Sequence, residues 1–258
     1  MHDFGVHFID SWHTLKHQDV DMRRNVSTYE SKNLLLEQTV GIRTDGYETA
    51  RLLSLLTPCE LEVWNKVPYI KKVSWLFGRI AAKQALRNAL YLDTSLEIPH
   101  NTITVLSRKN QPPTYRIAGD NLSNGVAYHV SISHTTGIAL GGAVSSLYCS
   151  GIGLDVEKIR DFTPLVSNAF LTEYEKRTCI RTYGALTNEA LTRYWCLKEA
   201  YVKAIGEGLR MHPRNIEIHF QSRVQENPRL YVYGVLVPAQ SWWTATEDHY
   251  IIAGVILP

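Results

Sequence analysis

The sequence predicts an α+β protein built from two similar halves. Apolar residues at helical spacing predict a long helix over residues 71–90. Alternating apolar residues predict strands over 128–144 and again over 216–256. A weak repeat links 75–83 with 195–203, because both segments hold Trp and Lys at the same separation. Two copies of one α+β unit would explain that repeat, and chance similarity between two amphipathic helices is an equal alternative.

The individual elements follow from shorter patterns. Thr57 and Glu60 occupy capping-box positions and so predict the start of a helix. Other helices are predicted over 48–56, 170–183 and 189–205, and strands over 6–9, 103–106, 128–133, 138–144, 150–156, 216–220, 230–236, 241–246 and 250–256. Residues 16–49 are predicted to be mostly loop. Small residues at Ser145 and Ser146 predict the division into halves 1–145 and 146–258.

Composition and charge narrow the class of protein. The chain has 258 residues, with 27 Lys and Arg against 25 Asp and Glu. These proportions are typical of a globular protein and argue against a disordered tail, a fibre or a coiled coil. A dedicated nucleic-acid binder would carry a larger basic excess. The near-neutral balance therefore leaves room only for a local basic patch.

Several features predict a cytoplasmic protein that does not enter a membrane. The four cysteines are widely spaced, which is typical of reduced thiols. The first residues lack the basic and apolar segments of a signal peptide. The long charge-free run over 135–154 is interrupted by glycines and serines, which favours two buried strands over a membrane-spanning helix.

Two carboxylates on one predicted strand form the first candidate site. Asp155 and Glu157 point to the same face because side chains alternate along a strand. Paired carboxylates repel unless a cation lies between them, and hard oxygen ligands of this kind suit Mg²⁺. The alternative is a solvated strand end, which an isolated pair would favour.

The second candidate lies on the predicted helix over 189–205. Glu199 and Lys203 are four residues apart and share a face, with Lys198 beside them. Such spacing commonly marks a surface ion pair. Neighbouring apolar residues make this helix partly buried, however, and a carboxylate flanked by lysines suits phosphate chemistry.

The third candidate is the segment 131–134, Ser-Ile-Ser-His, at the end of a predicted strand. A capped turn is the usual meaning of such a segment. Ser133 is not predicted to be a hydrolase nucleophile, because no G-x-S-x-G elbow surrounds it.

Together these segments resemble the surfactin-type 4′-phosphopantetheinyl transferases. The matching segments, in the family's order, are 75–83, 131–134, 153–157, 195–203 and 204–209. The chain departs from the family's pattern at Ser131, where Asn is common, and at Gln111, where the lysine of a G-K-P loop is missing. Residues 19–49 have no counterpart that can be aligned.

The resemblance implies a fold and an activity. Two α+β halves related by a pseudo-twofold axis would enclose the active site in the cleft between them. The enzyme would move the phosphopantetheine arm of coenzyme A to a serine of an acyl- or peptidyl-carrier protein and release 3′,5′-adenosine bisphosphate. Half 1–145 would bind the nucleotide and contact the carrier, and half 146–258 would hold Mg²⁺ and the catalytic motifs. A chain with both halves is expected to work as a monomer.

The resemblance also implies roles for individual residues. Asp155, Glu157 and Glu199 would hold Mg²⁺, and the catalytic residues would be Asp155, Glu199 and Lys203. The expected coenzyme A contacts are Arg79, Lys83, Arg108, Lys109, Ser133, His134, Lys198 and Lys203. Helical spacing of Arg79, Lys83 and Arg87 predicts a basic patch for the 3′-phosphate or an acidic carrier helix, with a solvated helix face as the alternative.

Two rival functions remain open at this point. A metal-dependent nuclease could use Asp155, Glu157 and Lys158, but that class places one residue between the Glu and the Lys, and here they are adjacent. A non-catalytic module could bind coenzyme A or a carrier protein with its chemistry lost. The presence of Asp155, Glu199 and Lys203 argues against that module.

Overall fold

The computed structural model describes residues 39–43, 49–108, 111–119, 126–220, 228–238 and 241–258. The strand predicted over 6–9, most of the loop predicted over 16–49, and Lys109 lie outside these residues. The described residues form helices packed on small antiparallel sheets, so the predicted α+β class is confirmed.

Six α-helices and eleven strands make up this part of the chain. The helices are α1 (Thr49–Leu53), α2 (Pro58–Lys66), α3 (Tyr69–Thr94), α4 (Pro164–Phe170), α5 (Glu173–Tyr183) and α6 (Asn188–Ala204). The strands are β1 (Thr39–Arg43), β2 (Ile103–Leu106), β3 (Thr114–Ile117), β4 (Tyr128–Thr135), β5 (Ile138–Ser145), β6 (Gly151–Lys158), β7 (Ile216–His219), β8 (Arg229–Val232), β9 (Val235–Leu236), β10 (Ser241–Glu247) and β11 (Tyr250–Leu257).

Two predicted elements are divided in the structure. The helix predicted over 170–183 breaks after Phe170, because Thr172 is extended and forms a capping box with Glu175 that starts α5. The strand predicted over 230–236 is interrupted at Tyr233 and Gly234, which both have positive φ and form the turn between β8 and β9.

The described elements occur twice in the same order. β1, β5 and β4 form one antiparallel sheet, with β5 in the centre, and α3 packs against it. β6, β11 and β10 form the second sheet in the equivalent order, and α6 packs against it. In each half the long helix follows a shorter helix that begins with a capping box, and it precedes a hairpin, β2–β3 or β7–β8.

A buried ion pair anchors the long helix in the first half. The Lys83 ammonium pairs with the Glu60 carboxylate, and both side chains are fully buried. Lys83 also donates to the carbonyl oxygen of Leu55, at 2.8 Å. The second oxygen of Glu60 accepts the N–H of Val105 on β2, at 2.8 Å. These bonds tie α2, α3 and β2 together.

The second half repeats this arrangement. Lys198 pairs with Glu175 at 2.7 Å and donates to the carbonyl oxygen of Phe170 at 2.7 Å. Glu175 accepts the N–H of Ile218 on β7 at 2.8 Å. In both halves the lysine lies 28 residues after the carbonyl that it binds. The repeat therefore aligns Lys83 with Lys198, and not with Lys203 as the matching tryptophans had suggested.

The two sheets meet along β4 and β6. Ser131 Oγ accepts the N–H of Leu154 at 2.9 Å, and Ser133 Oγ accepts the N–H of Val156 at 3.3 Å. These hydroxyls take the place of carbonyl groups in a parallel pairing of the two strands. The contact places Ser133 directly beside Asp155.

Gly153 allows α6 to lie against β6, and we expect Gly153→Ala to prevent that approach. A Cβ at this position would stand 1.7 Å from the carbonyl oxygen of Ala200. Because the obstacle is helix backbone, the cost should reach about 3 kcal/mol, the upper end for overpacking. Chemical denaturation measures it. Gly184→Ala is the control, since nothing lies within 4 Å there and its positive φ should cost only about 1 kcal/mol. Equal losses in the two variants would contradict this account.

Two further findings concern membrane-spanning helices and disulfide bonds. Within the described ranges, no helix combines the length and the apolar character needed to cross a bilayer. No disulfide bond forms among Cys59, Cys149, Cys179 and Cys196, in agreement with the sequence prediction.

Candidate active site

Asp155 lies at the centre of the candidate site, on β6 where the two halves meet. Its side chain is 6% exposed. One carboxylate oxygen, Oδ1, accepts hydrogen bonds from Ser133 Oγ at 2.8 Å and from Lys203 Nζ at 2.7 Å. The other oxygen, Oδ2, is buried and has no hydrogen-bond partner within the described part of the chain. A buried carboxylate oxygen without a partner is costly, so this atom is suited to a cation.

Lys203 reaches Asp155 from the last turn of α6. Its ammonium also donates to Ser133 Oγ at 2.9 Å and to the carbonyl oxygen of Leu154 at 3.0 Å. The Lys203 side chain is 30% exposed, so it extends from the buried carboxylate towards solvent. The structure thus brings Asp155 and Lys203 into contact, and their joint action in one site stays a prediction.

Glu157 and Glu199 add negative charge around Asp155. Burial and the charge of Asp155 raise the pKa of Glu157, although Arg160, Lys203 and a hydrogen bond from Trp195 oppose that rise. Burial and Asp155 likewise raise the pKa of Glu199, and Glu157 adds to the effect. The charge of Asp155 therefore destabilises the charged forms of Glu157 and Glu199, which is typical of a cation-binding or proton-transfer site.

The donor chemistry of these carboxylates fits a hard divalent cation. They offer oxygen ligands, and Asp155 Oδ2 is available for coordination. The structure does not gather them into a finished shell, because no group of three or more His, Cys, Asp or Glu side chains within the described residues is close enough to hold a metal. Mg²⁺ needs no such shell of protein ligands, since it commonly binds one or two carboxylates together with water and substrate phosphates.

A cavity of about 220 Å³ opens beside Glu199. Its walls come from α6 and from the segment that follows, and they are lined by Trp195, Lys198, Glu199, Val202, Gly208, Arg210, Met211, His212 and Pro213. Sequence reasoning missed the wall formed by residues 210–213. The sequence signal that could have predicted this wall is the position of Arg210 and His212 directly after Gly206 and Gly208. In the structure both glycines have positive φ, and the chain turns back towards α6.

Three expected coenzyme A contacts are contradicted by burial. The Lys83 and Lys198 ammonium groups lie in the interior, each paired with a glutamate, with side chains 0% and 1% exposed. Ser133 is also buried, and its hydroxyl donates to Asp155 while it accepts from Lys203 and from the Val156 amide. These groups are occupied by the protein itself and are not free to bind a phosphate.

The predicted basic patch on α3 is wrong for the same reason. Lys83 is in its ion pair, and Arg87 donates to the carbonyl oxygen of Ile98 and to Gln84. Lys83 is buried and Arg87 is partly buried, so these two residues form neither a phosphate site nor a solvated surface.

Arg79 differs from its neighbours because one of its donors is unused. It is 6% exposed, and burial lowers the pKa of its guanidinium to about 10. The guanidinium carbon lies 4.7 Å from the centre of the Trp75 ring. Its buried Nε has no hydrogen-bond partner among the described residues. Arg79 thus stays a candidate contact for an anion.

His134 stands at the exposed end of β4, beside a second cavity of about 340 Å³. Partial burial and the charge of Lys203 lower the pKa of its imidazole, with smaller effects from Arg79 and Lys71. The positive charges of Lys203 and Arg79 thus both act on the His134 imidazole. Arg108 is exposed at the end of the described segment 49–108, and within the described residues it forms no hydrogen bond or ion pair with His134, Lys203 or Arg79.

Comparison with known proteins finds similarity in the second half of the chain. Residues 151–253 match the family model of the 4′-phosphopantetheinyl transferase superfamily. A holo-[acyl-carrier-protein] synthase of Geobacillus kaustophilus (strain HTA426) is 29% identical over 116 residues, which are 41% of this chain and 87% of that protein. The segment 151–253 that matches the family model includes Asp155, Glu157, Glu199 and Lys203.

Two solved structures give a weaker likeness. The holo-[acyl-carrier-protein] synthase of Thermotoga maritima has 24% identity and a TM-score of 0.34 over 42% of this chain and 63% of its own, so this chain spans less than two thirds of that protein. The Helicobacter pylori enzyme in complex with coenzyme A has 21% identity and a TM-score of 0.33, over 42% of this chain and 99% of its own.

The family match covers the second half, which carries Asp155, Glu157, Glu199 and Lys203. The surfactin-type subgroup is finer than these comparisons resolve and stays a prediction. The match over residues 151–253 and the similarity to a holo-[acyl-carrier-protein] synthase support the predicted 4′-phosphopantetheinyl transferase superfamily for this part of the chain.

Proposed function

We propose that this chain transfers the 4′-phosphopantetheine arm of coenzyme A to a serine of an acyl- or peptidyl-carrier protein, with Mg²⁺ as its metal. The observation that carries the proposal is the charge arrangement at the meeting of β4 and β6. There Asp155 has one oxygen on Lys203 and Ser133 and one oxygen without a partner, with Glu157 and Glu199 nearby. This arrangement offers both a metal site and a cation for phosphate.

Asp155, Glu157 and Glu199 are the residues that would hold the metal. Bound there, Mg²⁺ would offset the negative charge of the pyrophosphate as its P–O bond breaks. Glu199 lines the cavity beside the site, so its carboxylate can reach an alcohol that enters there and take its proton. We therefore assign Glu199 the proton of the carrier's serine.

Lys203 is the catalytic cation in this proposal. Its ammonium is held by Asp155 and Leu154 and is partly exposed, so it can contact the pyrophosphate without leaving the site. Arg79 and His134 would contact the coenzyme A phosphates. The charges of Arg79 and Lys203 both act on the His134 imidazole, so the three side chains lie in one region of the site. Arg108 and Lys109 are the residues that we propose for the nucleotide end, as the resemblance implies.

The two halves support the finer assignment to the surfactin-type subgroup. One chain contains both copies of the repeated unit, and the site lies where their sheets meet. A monomer in the cytoplasm would satisfy this arrangement, with half 1–145 on the nucleotide and carrier side and half 146–258 on the metal side.

A mass-shift assay tests the proposal. Purified protein is incubated with coenzyme A, Mg²⁺ and a panel of apo carrier proteins from fatty-acid, polyketide and nonribosomal-peptide systems. The expected result is a carrier heavier by one phosphopantetheine group, and no shift when the carrier's serine is replaced by alanine. Coenzyme A binding without transfer to any carrier would instead support a non-catalytic module.

Ser133 is expected to position the two catalytic groups, so Ser133→Ala should slow transfer. Its hydroxyl touches both Asp155 and Lys203, and hydrogen bonds to charged groups contribute about 1.5–3 kcal/mol. We expect kcat to fall about tenfold or more for that reason. Steady-state kinetics with a saturating carrier measures the change.

Ser131→Ala is the matched control for this prediction. Ser131 bridges β4 and β6 in the same way, through the Leu154 amide, and has no recorded bond to Asp155 or Lys203. Both variants lose one bond between the strands, and Ser133→Ala loses its bonds to Asp155 and Lys203 as well, so thermal unfolding should report a larger loss of stability for Ser133→Ala. If Ser131→Ala slowed transfer as much as Ser133→Ala, joining the strands would explain the effect and the positioning role would be wrong.

A further inference from the structure

Lys198 makes three buried contacts with three different parts of the second half. Its ammonium binds Glu175 on α5, the carbonyl oxygen of Phe170 at the end of α4, and the carbonyl oxygen of Pro213 at 3.1 Å. Pro213 belongs to the cavity wall opposite α6. The residue after Lys198 is Glu199, which lines the same cavity. One ammonium group thus links the helix that carries Glu199 to the wall that faces it.

The equivalent lysine of the first half lacks this third contact. The recorded partners of Lys83 within the described residues are Glu60 and Leu55, which correspond to Glu175 and Phe170. The shared contacts are therefore part of the repeated architecture. The contact with Pro213 is specific to the half that carries the candidate active site.

We propose that Lys198 is a positioning residue, which holds residues 210–213 against α6 and so fixes Glu199 and the cavity beside it. This inference rests on the proposed function and replaces the expected role of Lys198 as a phosphate contact. The Lys198 side chain is 1% exposed, and its ammonium is hydrogen-bonded to three protein groups. It can therefore affect the substrate only through the residues that it holds in place. Misplacing a reacting group by about 1 Å can cost on the order of 10²-fold in rate.

The test compares two double variants of the same design. Removing one member of a buried pair leaves an unpaired charge and endangers folding, whereas neutralising both members is often close to neutral. We therefore compare Lys198→Met/Glu175→Gln with Lys83→Met/Glu60→Gln. Glutamine keeps a carbonyl oxygen for the amides that Glu175 and Glu60 bind, on β7 and β2 respectively.

Three measurements are made on each double variant and on the unaltered chain. They are kcat with a carrier protein, the Kd for coenzyme A by calorimetry, and hydrogen exchange of residues 207–213 by mass spectrometry. We expect Lys198→Met/Glu175→Gln to lower kcat by about 10- to 100-fold, to change the Kd by less than about twofold, and to speed exchange in 207–213. The Lys83→Met/Glu60→Gln variant should keep kcat within about threefold and leave that exchange unchanged.

Two results would overturn the proposal. A rise in Kd that matches the loss of kcat/KM would make Lys198 a phosphate ligand, and equal losses in the two variants would make both pairs purely structural. The exchange measurement needs no activity, so it separates this inference from the proposed function. If the unaltered chain modifies no carrier, the proposed function fails, and unchanged exchange in 207–213 would then overturn the positioning role as well.

Discussion

Asp155→Asn is expected to lower the rate of phosphopantetheine transfer on the order of 10²-fold or more. Asp155 joins Ser133 and Lys203 through one oxygen and offers the other, buried and without a partner, to a cation. An amide keeps the shape of the side chain but lacks the charge, so both Lys203 and the metal lose their counter-ion. Single-turnover kinetics with apo carrier protein and saturating coenzyme A measures the chemical step.

Glu199→Gln should have an effect of the same order, because it removes the proposed base and a metal ligand together. Glu189→Gln is the control on the same helix, where an exposed carboxylate pairs with Arg193 and takes no part in the site. A surface pair of this kind contributes less than about 1 kcal/mol. Near-normal transfer by either Asp155→Asn or Glu199→Gln would show that the metal and base assignments are incorrect.

Glu60→Ala is expected to destabilise the folded chain by about 3–5 kcal/mol, since it leaves the fully buried Lys83 ammonium without its carboxylate. The same change also removes the acceptor for the amides of Val105 and Thr57. Because Glu60 lies far along the chain from the catalytic motifs, its effect is on folding. Urea denaturation followed by circular dichroism gives the change in free energy of unfolding.

The ion pair and the hydrogen bonds can be separated with a second variant. Lys83→Met/Glu60→Gln removes both charges and keeps a carbonyl oxygen for the Val105 amide, although the Thr57 amide loses its acceptor, so it should recover part of the lost stability. If that double variant were as unstable as Glu60→Ala, the loss would come from packing around α2 and not from an uncompensated charge.

The sequence predicted which candidate residues lie near one another better than it predicted which side chains are buried. The pairing of Asp155 with Glu157 followed from the two-residue period of a strand, and the face shared by Glu199 and Lys203 followed from the helical period. The structure brings Asp155 and Lys203 into contact. The charges of these two residues also act on the carboxylates of Glu157 and Glu199. Local periodicity determines such relations, so they can be predicted before the fold is known.

The basic residues show where that reasoning stops. Spacing places Arg79, Lys83 and Arg87 on one face of α3, but it does not say whether the face meets solvent. That depends on the buried Glu60, which lies in another helix and supplies the charge that lets Lys83 enter the interior. Lys198 depends in the same way on Glu175. A distant partner of this kind has no local signal, although the two capping boxes that contain Glu60 and Glu175 were present in the sequence.

The repeated ion pair suggests how the site became confined to one half. If Lys83 and Lys198 descend from one ancestral lysine, Gln84 stands where Glu199 does, and Asn88 stands where Lys203 does. In the first half these two are neutral amides that hydrogen-bond to each other at 2.7 Å. The carboxylate and the ammonium thus occur at these helical positions in one half, whereas the other half holds a neutral pair that bonds to itself.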